Sequence, residues 1–103
     1  MEKSVEKYFS LIKQEEINVL NYLKANYPFF HKSNVFYRDI QFGLKHYLKS
    51  KDINISYIES ELLANEFINH LTMKNILKKI DYDVYLLNYP EFAVKRKELT
   101  TKS

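Results

Sequence analysis

The chain has 103 residues, enough for one domain, and 46% of them are hydrophobic, too high a fraction for a disordered chain. It contains no cysteine, which excludes disulfides, thiolate metal sites and thiol catalysis. Its single glycine excludes a glycine-rich phosphate-binding loop. The formal net charge of +3 permits nucleic-acid binding without requiring it.

The hydropathy pattern predicts a soluble protein. No apolar run approaches the roughly 18 residues that a membrane span needs. The charged segment of residues 1–7 lacks the apolar core of a signal peptide. We therefore expect an intracellular, cytoplasmic protein with no membrane contact. Frequent Lys, Asn, Ile and Tyr indicate an A·T-rich coding sequence, such as that of a virus, plasmid or thermophile, and a viral protein would act inside its host cell.

The first predicted helix covers residues 2–26 and ends before Pro28, because proline disfavours the α conformation of the preceding residue. Its apolar stripe is longer than one small core needs, and two arrangements account for it. Either residues 1–13 form an extension that dimerises, or the helix breaks near Lys13–Glu15 and folds back on its own domain. We expect the homodimer. Its predicted contacts are Val5, Tyr8, Phe9 and Ile12.

A second predicted helix begins at Ser33 or Asn34, whose side chains can accept hydrogen bonds from free N–H groups at a helix start. Gly43 lies inside this helix at a cost of about 1 kcal/mol relative to alanine, which indicates close approach of another backbone. Residues 29–32 are predicted to be a linker or a short strand. The inward positions of the helix are Phe36, Ile40, Leu44, Tyr47 and Leu48.

A third predicted helix begins at Ser56, which precedes Glu59 by three residues, the spacing of a capping box. Asn75 ends it, because asparagine tolerates left-handed backbone dihedrals. Residues 76–80 and 84–87 then form a hairpin around a turn-prone triplet. The inward positions of the helix are Ile58, Leu62, Leu63, Phe67, Ile68 and Leu71.

The order of helix, helix, capped helix and hairpin resembles the winged helix-turn-helix family. The closest local similarity is Phe67–Leu71 followed by Asn75–Ile80 and Val84–Leu87, which resembles the family's recognition-helix end, break and two wing strands. The resemblance covers residues 14–89. Asn75 stands where the family usually has glycine.

The resemblance implies a mainly α fold with a small β-hairpin, of the α+β class. We expect a three-helix winged helix-turn-helix with an extended N-terminal helix. A single domain is predicted over residues 1–94, followed by a flexible basic tail over residues 95–103.

The resemblance also implies duplex-DNA binding by a small transcriptional regulator. Asn65 and Asn69 are four residues apart and share a helix face, from which asparagine can pair with adenine. Lysines and arginine would neutralise phosphates. The predicted contacts come from both later helices and the hairpin: Arg38, Lys45, Lys49, Tyr57, Ser60, Asn65, Asn69, Lys74, Lys78 and Lys79.

The third helix also supports an alternative function. Residues 53–73 carry Glu59, Glu61 and Glu66 but no Lys or Arg, which disfavours an approach to phosphates. The alternative is a protein-interaction module whose acidic third helix meets a basic protein. The aromatic first helix would then supply a second interface.

Catalysis is not predicted. Glu66 and His70 are four residues apart, but they supply only two metal ligands and no second pair exists. Asp81 and Asp83 are explained by turn chemistry. We therefore expect no enzymatic activity, no metal and no cofactor.

Overall fold

The chain folds as helices packed on a small antiparallel sheet. The computed structural model describes the backbone of residues 3–93 and the side chains of residues 5–93, so the predicted tail, residues 95–103, lies outside the described residues. The helices over that range are α1 (Lys3–Gln14), α2 (Glu16–Asn26), α3 (Tyr37–Lys49) and α4 (Tyr57–Met73). The strands are β1 (Asn34–Phe36), β2 (Leu77–Asp81) and β3 (Val84–Leu87), in the sheet order β1-β3-β2. The predicted α+β class is confirmed.

The first predicted helix is two helices, α1 and α2, which meet at Glu15. The Tyr47 hydroxyl donates a hydrogen bond to Glu15 Oε1 at 2.5 Å, and Lys51 Nζ lies 3.1 Å from the same oxygen. Contacts from the end of α3 therefore hold the break in place. As a result α1 packs against α4, while α2 packs against α3. The arrangement in which the helix folds back on its own domain is the one observed.

The predicted dimer contacts lie within the chain's own core. Val5 and Ile12 have no exposed surface, and Tyr8 and Phe9 are half-buried against the same core. The ring of Phe9 meets that of His70 in α4 edge to face, with 6.1 Å between their centroids. The prediction that Val5 and Ile12 face a second copy is wrong, because the break brings the apolar stripe onto α4.

The predicted second helix starts later than its sequence indicates. Residues Asn34–Phe36 form β1, and α3 begins at Tyr37 without a side-chain cap. Ser33 does not cap a helix, because its hydroxyl donates to the Phe30 carbonyl at 2.6 Å and closes a turn. Phe36 was predicted to face inward, but it is 46% exposed. The other predicted inward positions are buried: Ile40, Leu44, Tyr47 and Leu48.

Gly43 lies at the contact between α3 and α2. A Cβ atom at this position would overlap the Leu23 side chain and lie 3.3 Å from Tyr27 Cε2. The tight packing at Gly43 is therefore observed, but the prediction that another backbone makes it is wrong, because the nearest atoms belong to the side chains of Leu23 and Tyr27.

The third predicted helix, α4, begins and ends as its sequence predicts. Ser56 Oγ accepts a hydrogen bond from Glu59 N at 3.1 Å, and Glu59 Oε1 accepts one from Ser56 N at 2.8 Å, which completes the capping box. Asn75 has a φ of 63° and follows the end of α4. Ile58 is an exception, since it is 64% exposed. The buried face of α4 is formed instead by Ser60, Leu63, Ala64, Phe67, Ile68 and Leu71.

The two faces of the sheet have different environments. Val35 lies opposite Tyr85 and Leu77 lies opposite Leu87, and all four side chains are buried. The alternate residues point the other way, because successive side chains of a strand lie on opposite faces. That outer face carries the exposed or half-buried residues Phe36, Val84 and Leu86.

Candidate nucleic-acid interface

The C-terminal half of α4 presents an uncharged stripe to solvent. Asn65, Asn69 and Thr72 are exposed and lie four and three residues apart, so they share one helix face. Glu66 lies on a different flank, four residues before His70, which faces α1. The two asparagines predicted to read bases are therefore together on the surface, without a carboxylate between them.

A groove of about 600 Å³ lies between the end of α4 and the β2–β3 hairpin. We call it the basic groove, and its lining is Lys32, Thr72, Asn75, Leu77, Lys78, Lys79, Leu86, Leu87 and Asn88. Three of these residues are lysines, and none of the described residues in the lining is acidic. Thr72 belongs to both surfaces, so the uncharged stripe of α4 leads into the basic groove.

Backbone hydrogen bonds fix the loops that form this groove. Lys32 has a left-handed φ of 69°, and its N–H donates to the Leu87 carbonyl at 2.6 Å. The Asn88 N–H donates to the Ile76 carbonyl at 2.7 Å, and its side-chain amide donates to the Asn75 carbonyl at 2.9 Å. The loop before β1, the end of α4 and the end of β3 are thereby joined.

The hairpin supplies the other two lysines of the basic groove. Lys78 lies opposite Leu86 and Lys79 lies opposite Tyr85, so the two lysines leave β2 on opposite faces. Both are exposed, and β2 is an edge strand of the described sheet. Because no other strand among residues 3–93 covers that edge, both long side chains can reach the same groove.

Lys74 is held away from the basic groove. Its Nζ lies 2.6 Å from Glu16 Oε2, and Glu16 Oε1 lies 2.6 Å from His70 Nε2. Burial alone would raise the pKa of the Glu16 carboxyl, but the hydrogen bonds from Lys74 and His70 outweigh it and lower that pKa from its usual 4.5. The structure thus separates Lys74 from the other predicted phosphate contacts, and it pairs His70 with Glu16 rather than with Glu66.

Ser60 cannot contact a ligand. It is fully buried, and its hydroxyl accepts a hydrogen bond from Gln41 Nε2 at 3.0 Å and donates one to the Tyr57 carbonyl at 2.6 Å. The prediction that Ser60 contacts DNA is wrong, because this position lies on the face of α4 that packs against α3.

Arg38 and Tyr57 lie in a second cleft, also of about 600 Å³, near the start of α4. We call it the aromatic cleft, and its lining is Phe36, Tyr37, Arg38, Asp39, Gln41, Tyr57, Glu61, Tyr82, Asp83 and Val84. Three carboxylates against one guanidinium give this lining a negative formal charge. The surroundings of Arg38 and Tyr57 therefore disfavour phosphate.

The remaining predicted contacts belong to α3. Lys45, seven residues after Arg38, is half-exposed, and Lys49, eleven residues after Arg38, is exposed. Neither lysine lines the basic groove or the aromatic cleft. The structure therefore brings together Lys78, Lys79 and the stripe of α4, but it leaves the cations of α3 apart from them.

Lys32 and Asn88 are members of the basic groove that sequence reasoning missed. Both lie in connecting segments rather than in a patterned helix or strand. Their placement depends on pairing between β1 and β3, which are more than forty residues apart in sequence. No local spacing could have identified them.

Comparison with protein-family models, with curated proteins and with solved structures gives no match for this chain. Across residues 3–93, no helix combines the length and the apolar character needed to cross a membrane. The same residues contain no group of three or more His, Asp or Glu side chains that could hold a metal ion.

Proposed function

We propose that the chain is a winged-helix domain that binds duplex DNA as a small transcriptional regulator. The element order supports the first part, because α2, β1, α3, α4 and the β2–β3 hairpin follow the winged-helix order, and β1 pairs with the second hairpin strand. Architecture by itself does not determine function. The proposal therefore depends on the surface that this architecture assembles.

The basic groove is the observation that carries the proposal. Affinity for DNA comes largely from neutralising phosphates with lysine and arginine. Lys32 comes from the loop before β1, whereas Lys78 and Lys79 both come from β2. The three lysines line one groove and make no ion pair among the described residues. Their charges therefore remain available to a polyanion.

The uncharged stripe of α4 supplies the surface for base contacts. The major groove admits an α-helix, and an asparagine amide can form two hydrogen bonds with adenine. Asn65 and Asn69 project beside the basic groove, so the C-terminal half of α4 faces the bases while the lysines contact flanking phosphates. Glu59 belongs to the capping box and Glu61 lines the aromatic cleft, so both lie towards the other end of the helix.

The hairpin is short for a wing. In the pairing of β1 with β3, Phe36 lies opposite Val84 and Asn34 lies opposite Leu86. β1 therefore runs alongside most of the length of β3. Little of the hairpin projects beyond the sheet. In this proposal it contacts the DNA backbone through its lysines and does not enter the minor groove.

The proposal is tested with the full chain and a mixed-sequence duplex labelled for fluorescence anisotropy. The binding constant should fall linearly with salt on logarithmic axes, with a slope of about −0.9 for each phosphate neutralised. A binding constant that does not change with salt would contradict a phosphate-driven interface.

The triple variant Lys32→Gln, Lys78→Gln, Lys79→Gln tests the groove itself. We expect weaker binding at every salt concentration and a salt slope reduced by nearly one unit for each lysine removed. The matched control is Lys7→Gln, Lys13→Gln, Lys24→Gln, which removes the same charge from α1 and α2. Equal losses in the two triple variants would show that only net charge matters and would reject the basic groove as the interface.

A further inference from the structure

The aromatic cleft is unlike the basic groove in its walls as well as its charge. The end of β1, the first turns of α3 and α4, and the β2–β3 turn converge on it. Phe36, Tyr57 and Tyr82 at its rim are 46%, 54% and 81% exposed. Large apolar side chains grouped on a surface mark interaction sites more often than isolated ones do.

The floor of the aromatic cleft is fixed by hydrogen bonds. The Tyr37 N–H donates to the Asp83 carbonyl at 3.0 Å, and the Tyr37 hydroxyl donates to the Glu61 carbonyl at 3.2 Å. The buried side chain of Gln41 donates to Ser60 at 3.0 Å beneath it. The two bonds of Tyr37 use the backbone carbonyls of Asp83 and Glu61, so the carboxylates of these residues are not needed to hold the floor together.

The negative field in the cleft acts on one of its own side chains. Burial raises the pKa of the Tyr37 hydroxyl above its usual 10.0, and the charges of Glu61 and Asp83 raise it further. Both carboxylates therefore lie close enough to the interior of the cleft to act on a group there. A cation in the same position would be stabilised by them.

We propose that the aromatic cleft binds a lysine or arginine side chain of a partner protein. Organic cations are attracted to the faces of tyrosine and phenylalanine rings, and the three carboxylates of the lining supply complementary charge. A volume of about 600 Å³ is sufficient for such a side chain with part of its backbone. A basic protein is therefore the partner that fits this surface by charge and by ring chemistry together.

Arg38 is the internal competitor for this site. It lines the cleft and makes no ion pair with any described residue. Its positive charge should oppose the entry of a second cation. Removing that charge therefore distinguishes a cation site from an anion site, because the two respond in opposite directions.

The proposal is tested by NMR titration of the isotopically labelled full chain with capped peptides. The probes are acetyl-Gly-Arg-Gly-amide and acetyl-Gly-Lys-Gly-amide, with acetyl-Gly-Glu-Gly-amide as the control. We expect the two basic peptides to shift the amide signals of residues 36–41, 57–61 and 82–84, while the acidic peptide leaves them unchanged. Shifts confined to other residues, or equal shifts with the acidic peptide, would overturn the proposal.

Removing negative charge from the cleft and removing its positive charge should change the affinity for basic peptides in opposite directions. The double variant Glu61→Gln, Asp83→Asn should weaken binding of the basic peptides about three- to tenfold, and asparagine keeps the left-handed φ of 56° at position 83. Its matched control is Asp52→Asn, Glu91→Gln, in which position 52 also has a left-handed φ of 63°. Arg38→Gln should strengthen binding about two- to threefold.

The same variants separate this proposal from DNA binding at the basic groove. Binding of duplex DNA should change little in the Glu61→Gln, Asp83→Asn variant if the two sites are independent. Weaker DNA binding by Arg38→Gln, together with unchanged peptide binding, would assign the cleft to phosphate and reject the cation site. Failure of the lysine variants to affect DNA would leave the peptide result unaffected.

Discussion

The two ends of α4 present surfaces of opposite charge. Its C-terminal end borders the basic groove, whereas its N-terminal end borders the aromatic cleft with its three carboxylates. The helix itself contains no lysine or arginine from Tyr57 to Met73. The positive charge at one end comes from Lys32 and the hairpin, so a reading of the helix alone gives the wrong sign for that region.

The two ends also differ in how they are held to the rest of the chain. Near the cleft, Gln41 and Ser60 form a neutral hydrogen bond that is almost completely buried. Near the groove, the Glu16 carboxylate contacts the Lys74 ammonium and the His70 ring, and these side chains are partly exposed. Charged surface contacts depend on salt and pH, whereas a buried neutral hydrogen bond does not. Stability measurements can therefore distinguish the two ends.

The largest effect is expected at the cleft end. Ser60→Ala should lower the free energy of unfolding by about 2 kcal/mol, because it leaves a buried amide donor of Gln41 without a partner. Urea unfolding should give the same loss at low and high salt and across neutral to mildly acidic pH. A loss that disappears in high salt would contradict a neutral, buried contact.

A double variant tests whether the loss of stability comes from the hydrogen bond between Gln41 and Ser60. Gln41→Leu combined with Ser60→Ala removes both polar groups, so it should be less destabilising than the sum of the two single variants. Additive losses would show that the two side chains do not interact in solution. The adjacent N-cap is left intact in these variants.

The sequence predicted the elements whose signals are local. The capping box at Ser56, the stop at Asn75 and the hairpin strands each depend on residues a few positions apart, and the structure confirms them. The break between α1 and α2 was only one of two alternatives, because it depends on Tyr47 contacting Glu15 from 32 residues away. β1 was missed because its pairing with β3 overrides the capping preference of Asn34.

The smaller stability effect is expected at the groove end. Glu16→Gln should lower the free energy of unfolding by about 1 kcal/mol at neutral pH and less in high salt, since its partners are partly exposed. The folded-state pKa of Glu16 lies below its usual 4.5, so the contribution of the carboxylate is present above that value and is lost as pH falls through the lowered pKa. Wild type and Glu16→Gln should therefore differ most above pH 4.5, and their stabilities should converge as the pH falls below the lowered pKa of Glu16.

The exposed residue Glu6 supplies the control for this comparison. Glu6→Gln removes the same charge from α1 at a position without an ion pair among the described contacts. Glu6→Gln should lower the free energy of unfolding by only about 0.3 kcal/mol, because all it loses is the favourable position of a carboxylate in the first turn of α1. If Glu16→Gln were equally destabilising at neutral and at strongly acidic pH, the effect would be one of packing rather than of charge.

The candidate sites were predictable only in part. Lys78, Lys79, Asn65 and Asn69 could be placed from strand and helix periodicity, and the structure leaves them exposed. The aromatic cleft could not be foreseen, because it joins residues from four segments that meet only in the folded chain. Charge summed along the sequence does not predict the separation of a basic groove from an acidic cleft. The lysines of the groove come from a loop and the hairpin, and they lie beside an uncharged part of α4.

The smallest effect is a change in the titration of tyrosines near the cleft. Burial raises the pKa of Tyr37, with Glu61 and Asp83 adding to it, whereas burial and Asp83 raise the pKa of Tyr85. Asp83→Asn should therefore lower both pKa values towards 10.0, while Glu61→Gln should lower only that of Tyr37. Carbon-13 NMR of the tyrosine rings measures each hydroxyl separately. Neither pKa should fall fully to 10.0, because burial remains in both variants. If the pKa of Tyr37 did not respond to either change, the carboxylates would be directed away from the cleft, and the electrostatic attraction for a partner's lysine or arginine would be absent.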